Sequence, residues 1–168
     1  MHYRFASIED VDLYFEWAND SAVRQNSLVS DKVQYDDHVK WFSKMINDPN
    51  AFLYLFFDEN NEPIGQVRIE KKHEWVLVGQ TVDEKHRGKK YSTEMLQKAT
   101  DDFLLNFPFE TIISLAKSYN IASLKMCEKT GFTLIAIEEE KNFTLVLKGN
   151  KQNDPDYILK AKHFYNLV

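Results

Sequence analysis

Apolar residues recur with helical spacing twice in the first third of the chain. The first series follows Ser7, which is suited to cap a helix, and ends near Asn19 and Asp20. The second series covers residues 36–47. Residues 20–34 show no such spacing, so we expect a loop or an irregular turn between two helices, after a short N-terminal strand.

From residue 51 the pattern becomes that of β-strands. Three segments, AFLYLFF, IGQVRIEKK and EWVLVGQTVD, are separated by turn-forming residues and predict a strand meander. In the second segment, Val67 and Ile69 are predicted to lie on one face of the sheet. The opposite face is predicted to carry an unusual polar row, made of Ile64, Gln66, Arg68 and Glu70. This row either faces solvent or lines a substrate site.

Helical and strand patterns alternate in the second half of the chain. After a predicted amphipathic helix, the nearly all-apolar segment TIISLA predicts a strand buried on both faces. Asn120 and Gly131 are suited to the two ends of the next helix. Two more predicted strands, FTLIAIE and NFTLVLK, precede a helical face of Ile158, Ala161 and Tyr165.

These elements fit a single domain of the α/β or α+β class. Their order predicts a mixed sheet of about seven strands flanked by helices, with a parallel pair formed by the strand–helix units of residues 75–130. Residues 1–150 are assigned to the domain, and residues 151–168 to a C-terminal helical extension of it. The extension either packs on the domain or forms a dimer contact, so we expect a monomer or a homodimer.

The composition of the 168 residues narrows the class of partners. A formal net charge of -5 argues against nucleic acid, because its binding domains usually carry a broad basic face. The longest apolar run is too short to span a bilayer, and the single cysteine, Cys127, fits a reducing compartment. We therefore expect a cytoplasmic protein without membrane contact. The spacing of histidines and cysteines shows no metal motif, and no metal is expected.

A basic stretch, EKHRGKKYSTEML at residues 84–96, contrasts with the acidic remainder of the chain. It joins a predicted strand to a predicted helix, an arrangement in which free backbone amides at a helix N-terminus bind phosphate. Four basic side chains would strengthen that site: Lys85, Arg87, Lys89 and Lys90. Taken alone, the stretch is a weak signal for phosphate binding, and a solvated basic turn is the more common interpretation of such a stretch.

Two spaced motifs resemble those of the GNAT superfamily of acetyl-CoA-dependent N-acyltransferases. The family pattern Arg/Gln-x-x-Gly-x-Gly/Ala usually follows a strand valine, here Val82, and the corresponding residues are Arg87, Gly88, Lys89, Lys90, Tyr91 and Ser92. In the second motif, Asn120 and Ser123 begin a helix that carries Cys127 and closes with Gly-Phe. The resemblance covers about residues 2–148 and implies the GNAT fold, with a splayed parallel strand pair at the coenzyme site.

The resemblance implies acetyl-CoA as co-substrate. Val82 is expected to contact the acetyl group and pantetheine, and the loop residues of the first motif, with Asn120 and Ser123, are expected to bind the coenzyme. Lys90 stands where relatives usually carry the first glycine, and Ser92 replaces the final Gly or Ala. Glycine has no Cβ and lets the backbone approach a phosphate closely. Lys90 has a Cβ, so we expect this departure from the family pattern to affect the affinity for the coenzyme.

Cys127 stands where relatives often place the tyrosine that protonates the departing CoA thiolate. A thiol is chemically able to donate a proton, so the acid is either Cys127 or solvent, and Tyr119 is a further candidate donor. The available bases are Glu70, His38, Asp20 and Asp83. Of these, Glu70 and His38 are the selected catalytic candidates.

The N-terminal third is similar to the GNAT branch that acts on nucleotide-linked aminodideoxy sugars, as in pseudaminic acid synthesis. The similarity depends on the segments WANDSAVRQNS, HVKWF and IGQVRIE. It implies that the acceptor is a small-molecule amine linked to a nucleotide. An arginine is expected to contact its diphosphate, and a tryptophan is expected to stack on its nucleobase. The residues expected to bind this acceptor are Asn19, Asp20, Arg24, Trp41 and Arg68. A protein or peptide N-terminal acetyltransferase and a catalytically degenerate CoA-binding module are the alternatives.

Overall fold

The computed structural model describes residues 1–27, 29–136 and 143–164 of the chain. Its first half contains four strands and three helices among the described residues. Their bounds are β1 His2–Phe5, α1 Val11–Ala18, α2 Ser21–Asn26, α3 Tyr35–Ile46, β2 Ala51–Phe57, β3 Pro63–Lys72 and β4 Trp75–Val82. A 3-10 turn, Ile8–Asp10, precedes α1.

The second half alternates helices and strands. Its elements are α4 Tyr91–Asn106, β5 Thr111–Lys117, α5 Ile121–Lys129, β6 Thr133–Ala136, β7 Phe143–Gly149 and α6 Pro155–Phe164. A second 3-10 turn, Glu84–His86, opens the loop between β4 and α4. The predicted turn EEEK between the last two strands lies outside the described residues, as does Tyr165.

The strands form one seven-stranded mixed sheet in the order β1-β2-β3-β4-β5-β7-β6. Every neighbouring pair is antiparallel except β4 and β5, which run parallel. The predicted mixed sheet with a central parallel pair is therefore confirmed. Only Val76 with Ile112 and Leu77 with Ile113 are paired between the two parallel strands, so β4 and β5 diverge over the remainder of β4.

Helices cover both faces of the sheet. On one face, Met95 and Ala99 of α4 and Cys127 of α5 are buried against the strands. On the other face, Trp17 of α1 and Phe42 of α3 form a second core cluster. Because each helix buries an apolar stripe and leaves its polar side in water, the two cores account for the periodic patterns seen in the sequence.

The last helix, α6, packs on the sheet beside the second cluster. Ala161 is buried in a cluster with Trp75, Ile113 and Leu145, and the ring of Tyr157 lies 5.6 Å from that of Trp75. Of the two alternatives for the C-terminal extension, packing on the domain is what the described part of the helix shows.

Residues 20–34 contain a helix where the sequence pattern indicated a loop. α2 has six residues and none of its side chains is buried, so no apolar stripe marks it in the sequence. Asp20 caps this helix, because its carboxylate accepts a hydrogen bond of 2.9 Å from the Val23 N–H. The prediction of a loop was wrong because a short capped helix without a buried face leaves no hydrophobic period.

The predicted polar row on β3 was wrong at its first member. The pairing of β3 with β2 shifts between Phe56 and Phe57 and leaves Ile64 as an extra residue of a β-bulge. Ile64 is fully buried in the same cluster as Val67 and Ile69, which were predicted to lie on the opposite face. A bulge reverses the alternation of side chains, and the residue pattern alone does not reveal it.

Two features are absent from the described ranges of the chain. In residues 1–27, 29–136 and 143–164, no helix is long and apolar enough to cross a membrane. In the same ranges, no three His, Cys, Asp or Glu side chains are grouped as metal ligands.

Candidate active site

The loop between β4 and α4 presents backbone N–H groups at the start of a long helix. Gly88 and Lys90 adopt left-handed conformations, with φ of 77° and 67°, just before α4 begins at Tyr91. Within the part of the chain that the structure describes, no protein group accepts a hydrogen bond from the N–H groups of residues 88–92. Together with the positive end of the helix dipole, these groups form a site for an anion.

Lys90 keeps the backbone shape that a glycine would normally supply. It is the N-cap residue of α4, yet its side chain makes no capping hydrogen bond. A left-handed conformation costs a residue with a Cβ roughly 1–2 kcal/mol. The loop therefore retains the conformation expected at the glycine position of the family pattern, at a cost in stability.

Arg87 of this loop is bound by a residue of the N-terminal region. Its Nη2 lies 2.6 Å from Oδ1 of Asp20, and its Nε donates to the Val82 carbonyl at 3.3 Å. Partial burial opposes ionisation of Asp20, but hydrogen bonds from Arg87 and from the Val23 N–H outweigh it and lower the pKa of this carboxyl group. A residue predicted to bind the coenzyme thus pairs with one predicted to bind the acceptor.

A second bridge connects α1 to the same loop. The indole N–H of Trp17 donates to Oδ2 of Asp83 at 2.9 Å. The other oxygen of Asp83 accepts from the Lys85 N–H at 2.9 Å and lies 3.2 Å from Nδ1 of His86. Sequence analysis missed this bridge, because Trp17 and Asp83 are 66 residues apart and no motif links them.

The divergence of β4 from β5 leaves a cavity of about 510 Å³ between them. The Asp83 N–H bonds to the Ile64 carbonyl of β3 at 2.9 Å, and the direction of backbone N–H groups alternates along a strand. The N–H groups of Gln80 and Val82, which lie beyond the residues of β4 that pair with β5, therefore point toward the gap. Val82 has the free amide that the predicted contact with the acetyl group requires, but so does Gln80.

The second motif forms one wall of this cavity, which we call the main cavity. Oδ1 of Asn120 accepts the Ser123 N–H at 3.1 Å, so the predicted N-cap of α5 is confirmed. Nδ2 of Asn120 donates to Oδ1 of Asn26 at 3.1 Å, which connects this wall to α2. Asn120, Ser123 and Cys127 all line the main cavity.

Cys127 is buried in that wall, with 4% of its surface exposed. Burial raises the pKa of its thiol to about 11, although a hydrogen bond with Ser123 acts in the opposite direction. The thiol is therefore protonated at neutral pH. Transfer of its proton to a thiolate of ordinary pKa, about 8.5, is uphill by roughly 3 kcal/mol. Cys127 is thus a poor acid, although it can donate a hydrogen bond.

The polar row of β3 lines the main cavity on the side of α3. Glu70 is 6% exposed, and its carboxylate pairs with Nε of Arg68 at 2.6 Å and with Nζ of Lys72 at 3.0 Å. The guanidinium of Arg68 also lies over the Trp41 ring, 5.1 Å from its centroid. Of the two interpretations of this row, the one that lines a cavity applies to Arg68 and Glu70.

His38 is a buried neutral imidazole. It is 2% exposed, and its Nε2 lies 3.0 Å from the Val11 carbonyl oxygen, which can only accept, so Nε2 carries the proton. Burial lowers the pKa of His38, although the hydrogen bond to Val11 opposes this. The neutral ring therefore keeps a lone pair on Nδ1, as a base requires.

Two of the predicted acceptor-binding residues shape the segment between α1 and α3. Asn19 exchanges two hydrogen bonds with the backbone of Val33, at 2.8 and 3.1 Å. Arg24 donates from Nη1 to the carbonyls of Val29 and Asp31, at 3.3 and 3.2 Å. These contacts hold the segment in place, and in Arg24 they leave Nε unused.

A smaller cavity of about 190 Å³, which we call the inner cavity, adjoins the main one. It lies between α1, α3 and the sheet, and it brings together four predicted site residues: Arg24, His38, Trp41 and Arg68. Asn19 and Asp20 line neither cavity. Gln66, which sequence analysis noted only as part of the polar row, also lines the inner cavity.

The model of the Acetyltransferase (GNAT) domain family matches residues 2–133, which include both motifs. The chain belongs to the GNAT acetyltransferase family. It is therefore an acetyl-CoA-dependent N-acetyltransferase, as the two motifs indicated. This match is to the family as a whole, so it does not confirm the amino-sugar branch that the sequence predicted.

Solved structures support the GNAT fold. A spermidine N-acetyltransferase from Vibrio cholerae, solved with CoA and spermine, has a TM-score of 0.75 at 15% identity and covers 87% of this chain and 92% of its own. A phosphinothricin acetyltransferase from Sinorhizobium meliloti, solved with acetyl-CoA, has a TM-score of 0.76 at 13% identity and covers 90% of both chains. A search of curated proteins finds no significant match. The acceptor must therefore be inferred from the site itself.

Proposed function

We propose that this GNAT enzyme acetylates a primary amine of a small anionic acceptor, a nucleotide-linked amino sugar. The observation that carries the proposal is the charge of the acceptor side of the main cavity. Arg24, Arg68 and Lys72 line it, and the one carboxylate among its described lining residues, Glu70, is paired with two of these cations. A partly buried excess of positive charge favours a diphosphate, which arginine binds with two parallel hydrogen bonds. Trp41 adds an aromatic surface beside Arg68.

The residues of the first motif are suited to hold the coenzyme. The free N–H groups of residues 88–92 would bind its pyrophosphate, with Lys89 and Lys90 beside them. Apart from Gly88 and its two chain neighbours, no atom lies within 4 Å of the position that a Cβ at Gly88 would take, so phosphate has room to approach the backbone there. When bound, acetyl-CoA supplies a thioester. The N–H groups of β4 that face the gap would stabilise the charge that develops on its carbonyl oxygen.

His38 is the better of the two selected bases. It lines the inner cavity in its neutral form, and burial, which lowers its pKa, favours release of any proton it takes, although the Val11 hydrogen bond and the charge of Asp12 act in the opposite direction. The carboxylate of Glu70 is less suited, because its two oxygens are held in ion pairs with Arg68 and Lys72. His38 therefore takes the proton of the acceptor amine and passes it to solvent.

The acceptor nitrogen forms a bond to the acetyl carbon while the carbon–sulfur bond breaks. The products are an amide and the CoA thiolate. Cys127 donates a hydrogen bond to the departing sulfur but keeps its proton, because its pKa is about 11. Solvent then protonates the thiolate, which is one of the two alternatives that the sequence left open.

The charge of the site argues against a polyamine acceptor. Spermidine is a polycation and requires free carboxylates, whereas the described lining of both cavities contains only Glu70, which is already paired. An amine that carries an acidic group, such as phosphinothricin, would instead satisfy the same arginines. The second structural neighbour is named for that substrate, and this class is the second candidate.

The acceptor class is tested by offering acetyl-CoA with four amines: a UDP-linked 4-amino sugar, phosphinothricin, spermidine and a peptide. Mass spectrometry identifies the acetylated product, and release of the CoA thiol gives the rate. We expect kcat/KM to be at least about tenfold higher for the UDP-linked sugar than for spermidine, since one hydrogen bond to a charged group contributes about 1.5–3 kcal/mol. Preferred acetylation of spermidine or of the peptide would contradict the proposal.

Arg68→Gln provides a test of the anion contact. This change is expected to lower kcat/KM for the UDP-linked sugar about tenfold or more, with little change in the Kd for CoA. Lys44→Gln, on α3 and outside both cavities, removes one positive charge as a matched control. Equal effects of the two substitutions would mean that Arg68 acts only through the overall charge of the protein.

A further inference from the structure

Polar atoms around the inner cavity lack partners. Within the described residues, four buried side-chain atoms of its lining have no hydrogen bond: the Tyr14 hydroxyl, Nε of Arg24, Oε1 of Gln66 and Oε1 of Gln80. Each buried polar group that is left unpaired destabilises the folded protein. Such groups are rare in native proteins, and several of them around one cavity indicate that a ligand completes the set.

The hydrogen-bonding character of two of these atoms is determined by their neighbours. Nε2 of Gln66 donates to Oγ1 of Thr81 at 3.4 Å, so Oε1 is left as an acceptor that points away from this bond. Nη1 of Arg24 is committed to the backbone carbonyls of Val29 and Asp31, so the Nε–H is left as a donor. A ligand that satisfies both residues must carry one donor and one acceptor.

The charge of the inner cavity determines the ionisation of that ligand. Among the described residues that line it there is no aspartate or glutamate, whereas Arg24 and Arg68 are both present. An ammonium group here would have no free carboxylate to pair with, because Glu70 is already paired with Arg68, and it would be repelled by the guanidinium of Arg24. The amine therefore binds in its neutral form, next to the neutral imidazole of His38.

We infer that the inner cavity binds a vicinal amino alcohol, whose amine donates to Oε1 of Gln66 while the neighbouring hydroxyl oxygen accepts from the Nε–H of Arg24. This inference rests on the proposed N-acetylation of an amino sugar and narrows its acceptor to amines that carry a hydroxyl on the adjacent carbon. The Tyr14 hydroxyl, which can both donate and accept, and Oε1 of Gln80, which can accept the second hydrogen of the amine, complete the set. A polyamine would leave the Arg24 donor without a partner.

Two acceptors that differ only in the hydroxyl test this inference: trans-2-aminocyclohexanol and cyclohexylamine. Neither carries a phosphate, so their comparison does not depend on any nucleotide contact. With acetyl-CoA and the full chain, we expect kcat/KM to be about 10- to 100-fold higher for the amino alcohol, as one hydrogen bond to a charged donor implies.

Variants of the two binding residues separate their contributions. Arg24→Met is expected to reduce the ratio of the two kcat/KM values to near one. Gln66→Leu is expected to lower both values about tenfold and to leave the ratio unchanged, since the amine is common to both probes. Gln66→Glu retains an acceptor oxygen and adds a carboxylate, so it is expected to restore binding of the amine and to raise the activity with spermidine. The Kd for CoA and the unfolding midpoint of each variant show whether it is folded.

Several outcomes overturn the inference. The inference is wrong if the native protein acetylates the two probes at equal rates. It is also wrong if a preparation that acetylates a UDP-linked amino sugar acetylates neither probe. An unchanged ratio in folded Arg24→Met also overturns it. If the UDP-linked sugar is not acetylated but the ratio behaves as expected, the nucleotide part of the proposed function fails and the inner site stands. If no amine releases CoA thiol, both fail.

Discussion

Asp20 binds Arg87, which is predicted to contact the pyrophosphate of the coenzyme, so replacing Asp20 by asparagine should tighten the binding of CoA. In the structure, Arg87 Nη2 lies 2.6 Å from the Asp20 carboxylate, and a bound diphosphate must compete for the same guanidinium. Asparagine caps helices about as well as aspartate, so Asp20→Asn keeps the hydrogen bond from the Val23 N–H that begins α2. The substitution therefore removes the charge and preserves the fold of this segment.

The expected magnitude follows from the environment of this ion pair. The side chain of Arg87 is 34% exposed and that of Asp20 is 14% exposed, so the pair is partly screened by water. Two unit charges about 4 Å apart attract by roughly 4 kcal/mol at an effective dielectric constant of 20, before the loss of hydration is subtracted. Net values for hydrogen bonds to charged groups are about 1.5–3 kcal/mol, and for exposed pairs about 0.2–1 kcal/mol. We therefore expect the loss of the Asp20–Arg87 ion pair to favour CoA binding by about 1–2 kcal/mol, a value between these two ranges. This free energy corresponds to a Kd for CoA that is about 5- to 30-fold lower.

Titration calorimetry with CoA at fixed ionic strength measures this change. Asp12→Asn is the matched control, because it also removes one negative charge but lies on α1, where Asp12 is bonded to Tyr35. Arg87→Gln introduced together with Asp20→Asn should abolish the gain. Unchanged or weaker binding of CoA by Asp20→Asn, with a native unfolding midpoint, would refute the competition between this carboxylate and the coenzyme.

Three further predictions concern stability. Gly65→Ala should lower the free energy of unfolding by at least about 2 kcal/mol, because φ is 154° and a Cβ would lie 2.3 Å from the Thr81 carbonyl oxygen. Urea unfolding measures this change, and native stability would contradict the prediction. Lys90→Gly should add about 0.5–1 kcal/mol, since relief of the left-handed strain exceeds the entropy lost by glycine; a lower unfolding midpoint would argue against that strain. The free energy of unfolding should rise with pH up to about 6.5, because unfolded His38 binds a proton that the buried ring rejects. His38→Gln should flatten this rise, and an unchanged pH dependence would exclude His38 as its source.

The sequence by itself determined the secondary-structure elements that depend on near neighbours, and the family. Asn120 and Gly131 lie at the two ends of α5, because capping hydrogen bonds and a left-handed C-terminal residue involve groups only a few positions apart. The apolar strand before α5 identified the central parallel pair, because burial on both faces leaves no room for polar alternation. The loop before α4 was likewise predicted from the sequence, since its basic residues and its glycine lie next to one another in the chain.

Only the tertiary structure decided which distant residues meet. The pairs Asp20 with Arg87 and Trp17 with Asp83 join the N-terminal helices to the loop between β4 and α4, and neither pair is marked by any local pattern. The same holds for Gln66. Its unpaired oxygen indicates a ligand contact only because the tertiary structure places it in the lining of the inner cavity, between α1, α3 and the sheet. Such contacts depend on the register and divergence of strands and on the packing angles of helices. These quantities result from many weak interactions summed over the whole domain, and no short stretch of residues contains them.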